Sequence, residues 1–130
     1  MNSGTSPAMQ AERSSRTAVV MEHNMEAFAR GDLDAVVADY ADDAVVVNDL
    51  FGIARGRSEI LALFEKLLSE VFPPDRVTVE HIAQVITGGI AFYTWRANNV
   101  TFGTDTFVVE DGKIVLQTFA AQFIDAEEEK

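Results

Sequence analysis

The sequence predicts an α+β domain in which three helices come first and an antiparallel sheet follows. Apolar residues recur at helical spacing through the first half of the chain, which ends at Pro73 and Pro74. The second half consists of segments rich in β-branched and aromatic residues, separated by three hairpin-turn pairs, Gly88-Gly89, Asn98-Asn99 and Asp111-Gly112. The strands of such a meander form one curved antiparallel sheet, and the preceding helices pack against one of its faces.

The first helix is predicted over residues 17–30, because Gly31 is typical of the position just after a helix. Asp32 caps a second helix over 33–40. The apolar run 44–47 indicates a short buried strand, and a loop follows. Ser58 caps a third helix, which the two prolines end. The sheet is predicted to contain strands over 77–87, 90–98, 100–109 and 113–123.

Length and charge limit the classes of function. The chain has 130 residues, a net charge of −11 and no cysteine, which is typical of one domain without disulfides or thiolate metal sites. Such a surface repels nucleic acid and anionic lipid. No signal-like apolar segment is present, so we expect a soluble, cytoplasmic protein. We expect a flexible arm over 1–16, a folded domain over 17–124 and a solvated acidic tail over 125–130.

Asp105 is the most informative polar residue, since aspartate is rare in strands and here shares a face with Gly103, Phe107 and Val109. Burial there raises a carboxyl pKa, so Asp105 is expected to be protonated at neutral pH. A charged edge-strand residue is the simpler alternative. A two-residue turn after Glu110 sets Thr118 opposite Asp105, whereas a three-residue turn, which we favour, sets Gln117 there.

Two further positions place amides on apolar faces. Asn24 lies in the middle of the apolar stripe of the first helix, and His23 lies at its edge. Asn24 is either a core residue bonded to a backbone group or part of a pocket. Asn48 and Asp49 follow the buried strand, and strand alternation allows only one of them to point inward unless a bulge intervenes. Alternatively, both belong to the loop.

Four short segments resemble the nuclear transport factor 2-like superfamily, in its ketosteroid isomerase and SnoaL-like polyketide cyclase branch. They are Gly31-Asp32-Leu33-Asp34, Tyr40-Ala41-Asp42-Asp43-Ala44-Val45, Gly56-Arg57-Ser58-Glu59-Ile60 and Asp111-Gly112-Lys113-Ile114. The resemblance spans about 17–123. It implies a cone of helices and curved sheet around one hydrophobic pocket, commonly in a homodimer. It implies neither a cofactor nor a metal.

The resemblance also implies roles for the polar candidates. Asp105 lies where ketosteroid isomerase keeps a protonated aspartic acid in its oxyanion hole. The tyrosine of that hole falls at Asn24, and the general-base aspartate falls at Asn48, next to Asp49. The apolar and amide residues on the same faces are expected to contact the ligand: Met21, Phe28, Val46, Phe107, Gln117 and Phe119.

Two functions are therefore expected to compete. In the first, the protein is an enzyme that isomerises, cyclises or dehydrates a hydrophobic, carbonyl-bearing ring compound through an enol-like intermediate, with Asp105 and Asn24 as hydrogen-bond donors. Its proton carrier is Asp49, if a bulge turns it inward, or else the substrate and water. In the second, the domain only binds an apolar ligand or dimerises. A homodimer is expected because Ile114, Leu116 and Ala120 otherwise face solvent.

Overall fold

The computed structural model describes residues 6–124. Its elements, in chain order, are α1 (Pro7–Arg30), α2 (Leu33–Ala38), β1 (Tyr40–Asn48), β2 (Gly52–Arg55), α3 (Gly56–Lys66), a π-helical turn (Leu67–Val71), β3 (Val79–Thr87), β4 (Ile90–Ala97), β5 (Val100–Glu110) and β6 (Lys113–Phe123). The predicted α+β class is confirmed. The predicted tail over 125–130 lies outside the described residues, as do residues 1–5 of the predicted arm.

The first helix begins ten residues before its predicted start at Thr17. Ser6 caps it by accepting a hydrogen bond from the Met9 amide, and Pro7 occupies the first turn. The added turns pack on the β3–β4 hairpin, where the Ser14 hydroxyl accepts a hydrogen bond from the Gly88 amide at 2.8 Å. Residues 7–16, predicted as part of a flexible arm, therefore lie in a helix. The polar composition of this segment is that of an exposed helix, because all of its residues except the half-buried Ser14 are exposed.

The six strands form one sheet in the order β2-β1-β6-β5-β4-β3. Its four later strands are antiparallel as predicted, but β1 pairs with β6 in parallel. The sheet is therefore mixed, which corrects the antiparallel prediction. β2 was predicted as loop. Tyr40, predicted as the end of the second helix, instead begins β1 and is buried.

A bulge in the last hairpin corrects the predicted register. The turn has two residues, since Glu110 pairs with Lys113, but the register shifts between Val108 and Val109. Asp105 consequently lies opposite Phe119, instead of Thr118 or Gln117. The bulge also turns Ile114 into the core, where it is fully buried. Ile114 therefore does not belong to the outer face, contrary to the prediction.

Candidate functional site

The helices and the inner face of the sheet leave a cavity of about 470 Å³ between them. α1, α3 and the π-helical turn form one wall, and β3 to β6 form the other. Most of its lining is apolar and aromatic. The lining residues are Asn24, Met25, Phe28, Ala29, Tyr40, Phe64, Leu67, Leu68, Phe72, Pro74, Val77, Thr78, Val79, His81, Tyr93, Trp95, Asp105, Phe107, Gln117 and Phe119. A cavity of this size and composition fits a small organic molecule.

Asp105 is the one carboxylate among the described lining residues. It lies in the middle of β5, between Tyr93 on β4 and Phe119 on β6. Two N–H groups bind its carboxyl oxygens: the Trp95 indole donates to Oδ1 at 2.7 Å, and the Gln117 amide donates to Oδ2 at 2.9 Å. Strand alternation thus brings Asp105, Trp95 and Gln117 to one face, on three neighbouring strands.

The surroundings of Asp105 change its ionisation. Burial raises the pKa of Asp105 from 3.8 to about 7, and the hydrogen bonds from Gln117 and Trp95 limit the rise because they stabilise the charged form. Burial and the negative charge of Asp105 also raise the pKa of the Tyr93 hydroxyl. Asp105 therefore exchanges a proton near neutral pH, which is a property that acid–base catalysis requires.

Gly103 makes room for the Trp95 indole. These two residues are directly opposite each other on β5 and β4. A Cβ atom at Gly103 would lie 2.3 Å from Cε2 of Trp95, well inside van der Waals contact. The indole therefore lies flat over the glycine backbone and reaches Asp105, one strand away. Phe72 packs edge-on against the same indole, with ring centroids 5.7 Å apart.

Asn24 lines the cavity, but its amide nitrogen is already bonded. It donates to the Val36 carbonyl at 3.1 Å and to the Asp39 carboxylate at 3.3 Å, which uses both N–H donors. Asn24 is therefore bonded to a backbone group on the neighbouring helix, which is the first of its two predicted roles. Because both of its N–H donors are in use, the other predicted role, as a donor to an oxyanion, does not fit the structure. His23 is exposed and contacts the same Asp39 at 2.8 Å.

Asn48 and Asp49 lie away from the cavity. Asn48 is buried at the end of β1, where its side chain accepts hydrogen bonds from the Leu50 and Phe51 amides and donates to the Gly52 carbonyl. It therefore holds the β1–β2 turn together, as Asn commonly does. Asp49 is exposed in that turn. Neither side chain reaches Asp105, so the interpretation of Asp49 as the proton carrier does not fit the structure.

The six predicted ligand contacts divide into two groups. Phe28, Phe107, Gln117 and Phe119 line the cavity. Met21 and Val46 are buried in the core and are absent from the lining. Their faces were predicted correctly, but side chains from other elements cover them, which single-element periodicity does not reveal.

Four lining residues that combine a ring with a polar group were missed: Tyr40, His81, Tyr93 and Trp95. Tyr93 and Trp95 share a face of β4 by two-residue alternation, and each combines an apolar ring with a polar tip. That pattern was the available signal. Tyr40 carried no such signal, because its position depends on where α2 ends. Within residues 6–124, no three potential metal ligands cluster, and no helix there is long and apolar enough to cross a membrane.

Comparison with known proteins agrees with this geometry. The family model of the SnoaL-like domain matches residues 21–117. The chain belongs to the SnoaL-like family, and it shares the fold of nuclear transport factor 2-like proteins. No protein with a curated description matches the sequence.

Several solved structures share the fold of this SnoaL-like domain. A protein assigned as a polyketide cyclase from Sinorhizobium meliloti is 20% identical, with a TM-score of 0.67 over 77% of this chain and 92% of the other. An LEH-like epoxide hydrolase of M. tuberculosis is 20% identical, with a TM-score of 0.64 over 83% and 84%. A protein of unknown function from Mesorhizobium loti is 22% identical, with a TM-score of 0.71 over 85% and 93%.

Proposed function

We propose that this SnoaL-like domain is a small-molecule enzyme that transfers a proton on an uncharged, carbonyl-bearing ring compound, with Asp105 as the proton carrier. The observation that carries the proposal is the place of Asp105, the one carboxylate in the described lining of an apolar cavity, held between two N–H donors. The polyketide cyclase among the structural neighbours supports the same class of substrate.

The lining also restricts the charge of the substrate. No lysine or arginine is among the described lining residues, and Asp105 carries negative charge when ionised. A carboxylate or phosphate on the substrate would therefore lose its hydration without gaining a cationic partner. The aromatic walls instead favour a flat, uncharged ring system.

The reaction follows from the chemistry of a carboxyl group with a pKa near 7. The Asp105 carboxylate takes a proton from the carbon next to the substrate carbonyl, which leaves an enolate, and then returns the proton elsewhere on the molecule. Isomerisation, cyclisation and dehydration all proceed through such an enolate. This assignment replaces the predicted role of Asp105 as a hydrogen-bond donor that is protonated at neutral pH, since Asp49, the predicted proton carrier, does not line the cavity.

Tyr93 is the group that we propose to stabilise the enolate oxygen. It lies directly opposite Asp105, lines the cavity, and its hydroxyl has no hydrogen-bond partner within residues 6–124. Its raised pKa keeps that hydroxyl protonated, so that it donates. A donor placed at a developing oxyanion contributes about 3 kcal/mol of transition-state stabilisation.

Exchange of the α-protons of 2-tetralone in D2O, followed by proton NMR, tests the proposal. We expect the wild-type protein to accelerate the exchange, and Asp105→Asn to lower that acceleration by about 10²–10⁴-fold. Asp49→Asn is the matched control, because its carboxylate lies outside the cavity, and it should keep the wild-type rate. Equal exchange rates for wild type and Asp105→Asn would contradict the proposal and favour the alternative, a cavity that binds an apolar ligand without catalysis.

A further inference from the structure

We propose that Tyr40 is a positioning residue that acts through Gln117 to determine which group faces Asp105. The Tyr40 hydroxyl donates a hydrogen bond to Oε1 of Gln117, and Nε2 of the same amide donates to Asp105. The three side chains lie on β1, β6 and β5, which are neighbours in the sheet. The inference rests on the proposed function and deepens it, because it explains what controls the hydrogen bonding of Asp105, the proposed proton carrier.

The orientation of the Gln117 amide is the step that Tyr40 controls. An amide has a donor end and an acceptor end, and a 180° flip exchanges them. A neutral tyrosine hydroxyl has one proton to donate, and here it is spent on the acceptor end of Gln117. Because the Tyr40 hydroxyl proton has no other acceptor among the described residues, a flipped amide would leave that proton unpaired, and this cost keeps the donor end of Gln117 facing Asp105. Without Tyr40 that constraint is lost, and the amide is free to present its oxygen to a protonated Asp105.

Two segments hold Tyr40 in position, the start of α3 and the start of β1. The other residues of these segments take no part in the proposed reaction. The Arg57 Nε donates to the Tyr40 carbonyl at 2.8 Å, and its Nη1 pairs with Asp42 at 3.0 Å. Gly56, which begins α3, adopts a φ of +78°, a backbone conformation that favours glycine. The start of α3 thus holds the start of β1, which aims Tyr40 at Gln117.

The hydroxyl of Tyr40 is suited to this role because it stays protonated. Burial raises the pKa of Tyr40 well above its usual value, and the charges of Asp105 and Asp39 raise it further. Two other titratable groups line the cavity: Tyr93 on β4 and His81 on β3. α1, α3 and the π-helical turn contribute no titratable side chain to the described lining. His81 is therefore the one imidazole in that lining.

The test uses the indole N–H signal of Trp95, since the chain has one tryptophan and its indole bonds directly to Asp105. A pH titration of this signal by 15N-edited NMR reports the ionisation of Asp105. His81→Asn, used as the background for every variant, removes the imidazole from the cavity lining, so that the response reports Asp105. Asp105→Asn should abolish the response, which confirms its origin.

In that background, we expect Tyr40→Phe and Gln117→Leu each to raise the midpoint by about one pH unit, the size expected for one lost hydrogen bond. Because Tyr40 acts through Gln117, the double variant should match Gln117→Leu alone. An unchanged midpoint in Tyr40→Phe, or a further shift of similar size in the double variant, would overturn the inference. Should Tyr40→Phe not fold, an unchanged midpoint in Gln117→Leu overturns it as well.

The same titration separates this inference from the proposed function. A wild-type midpoint near 4 would remove Asp105 as a proton carrier at neutral pH, yet a shift in Tyr40→Phe would still establish the positioning role. Conversely, a midpoint near 7 that is insensitive to Tyr40 would leave the proposed function standing and refute the positioning role.

Discussion

At the scale of single residues, the cost of keeping Asp105 in an apolar cavity has a measurable effect on stability. Its carboxyl has a pKa of about 7 when folded, against an ordinary value of 3.8. At pH values between these two, the unfolded chain ionises there while the folded chain stays protonated. The contribution of Asp105 to the free energy of unfolding therefore falls as the pH rises from about 4 to about 7, and it is constant above that range.

We predict that Asp105→Asn becomes more stable, relative to wild type, as the pH rises from 5.5 to 8.5. The difference in the free energy of unfolding between the two proteins should grow by roughly 1 to 2 kcal/mol over this range, after allowing for water in the cavity. Urea unfolding at the two pH values measures it, and comparing the variants cancels the effects of the other carboxylates. A difference that is independent of pH would mean that Asp105 is ionised in the folded protein throughout this range.

The sequence was informative about Asp105 for a simple reason: a charged residue among apolar ones on a regular strand faces inward whatever the rest of the fold does. The position of Asn48 was not decided in this way, since both a pocket role and a turn role fit an amide at a strand end. Gln117 was correctly placed near Asp105, although from the wrong register. Its contact is diagonal, because the bulge moves Phe119 opposite Asp105.

At the scale of secondary-structure elements, pairs of strands position the site more than any single strand does. Period-two alternation predicted the faces of β5 and β6 correctly over most of their length. The contribution of β1 was missed, because the parallel β1–β6 pairing joins segments about 70 residues apart. No local pattern encodes such a pairing, and Tyr40 therefore could not be assigned to the site from the sequence.

The close contact between β4 and β5 gives a prediction at this scale. Gly103→Ala should displace the Trp95 indole, break its hydrogen bond to Asp105 and lower the free energy of unfolding by about 1–3 kcal/mol, as overpacking does. Urea unfolding measures the loss, and the emission of the single tryptophan should shift to longer wavelength. Thr104→Ala is the control, since that side chain lies on the other face of β5. Wild-type emission from Gly103→Ala would show that the indole does not need this gap.

At the scale of the whole molecule, the two faces of the sheet have different roles. The inner face carries the cavity, whereas the outer face exposes large apolar side chains: Val85 is 56% exposed, Ile90 46%, Phe92 37% and Phe102 48%. A monomer rarely exposes so many large apolar residues together. Leu116, on the same face of β6, is half-buried and continues this surface. The outer face is therefore suited to pairing with a second copy of the chain.

We predict a homodimer that buries this outer face and leaves the cavity of each protomer open to its own ligand. Sedimentation at micromolar concentration should show a dimer for the wild type. Phe92→Lys should give a folded monomer, because a lysine ammonium buried in an apolar interface has no partner there. Val19→Lys changes an equally apolar side chain that is 68% exposed on α1, away from the sheet, and it should stay dimeric. A monomeric wild type, or a dimer that survives Phe92→Lys, would refute pairing through this face.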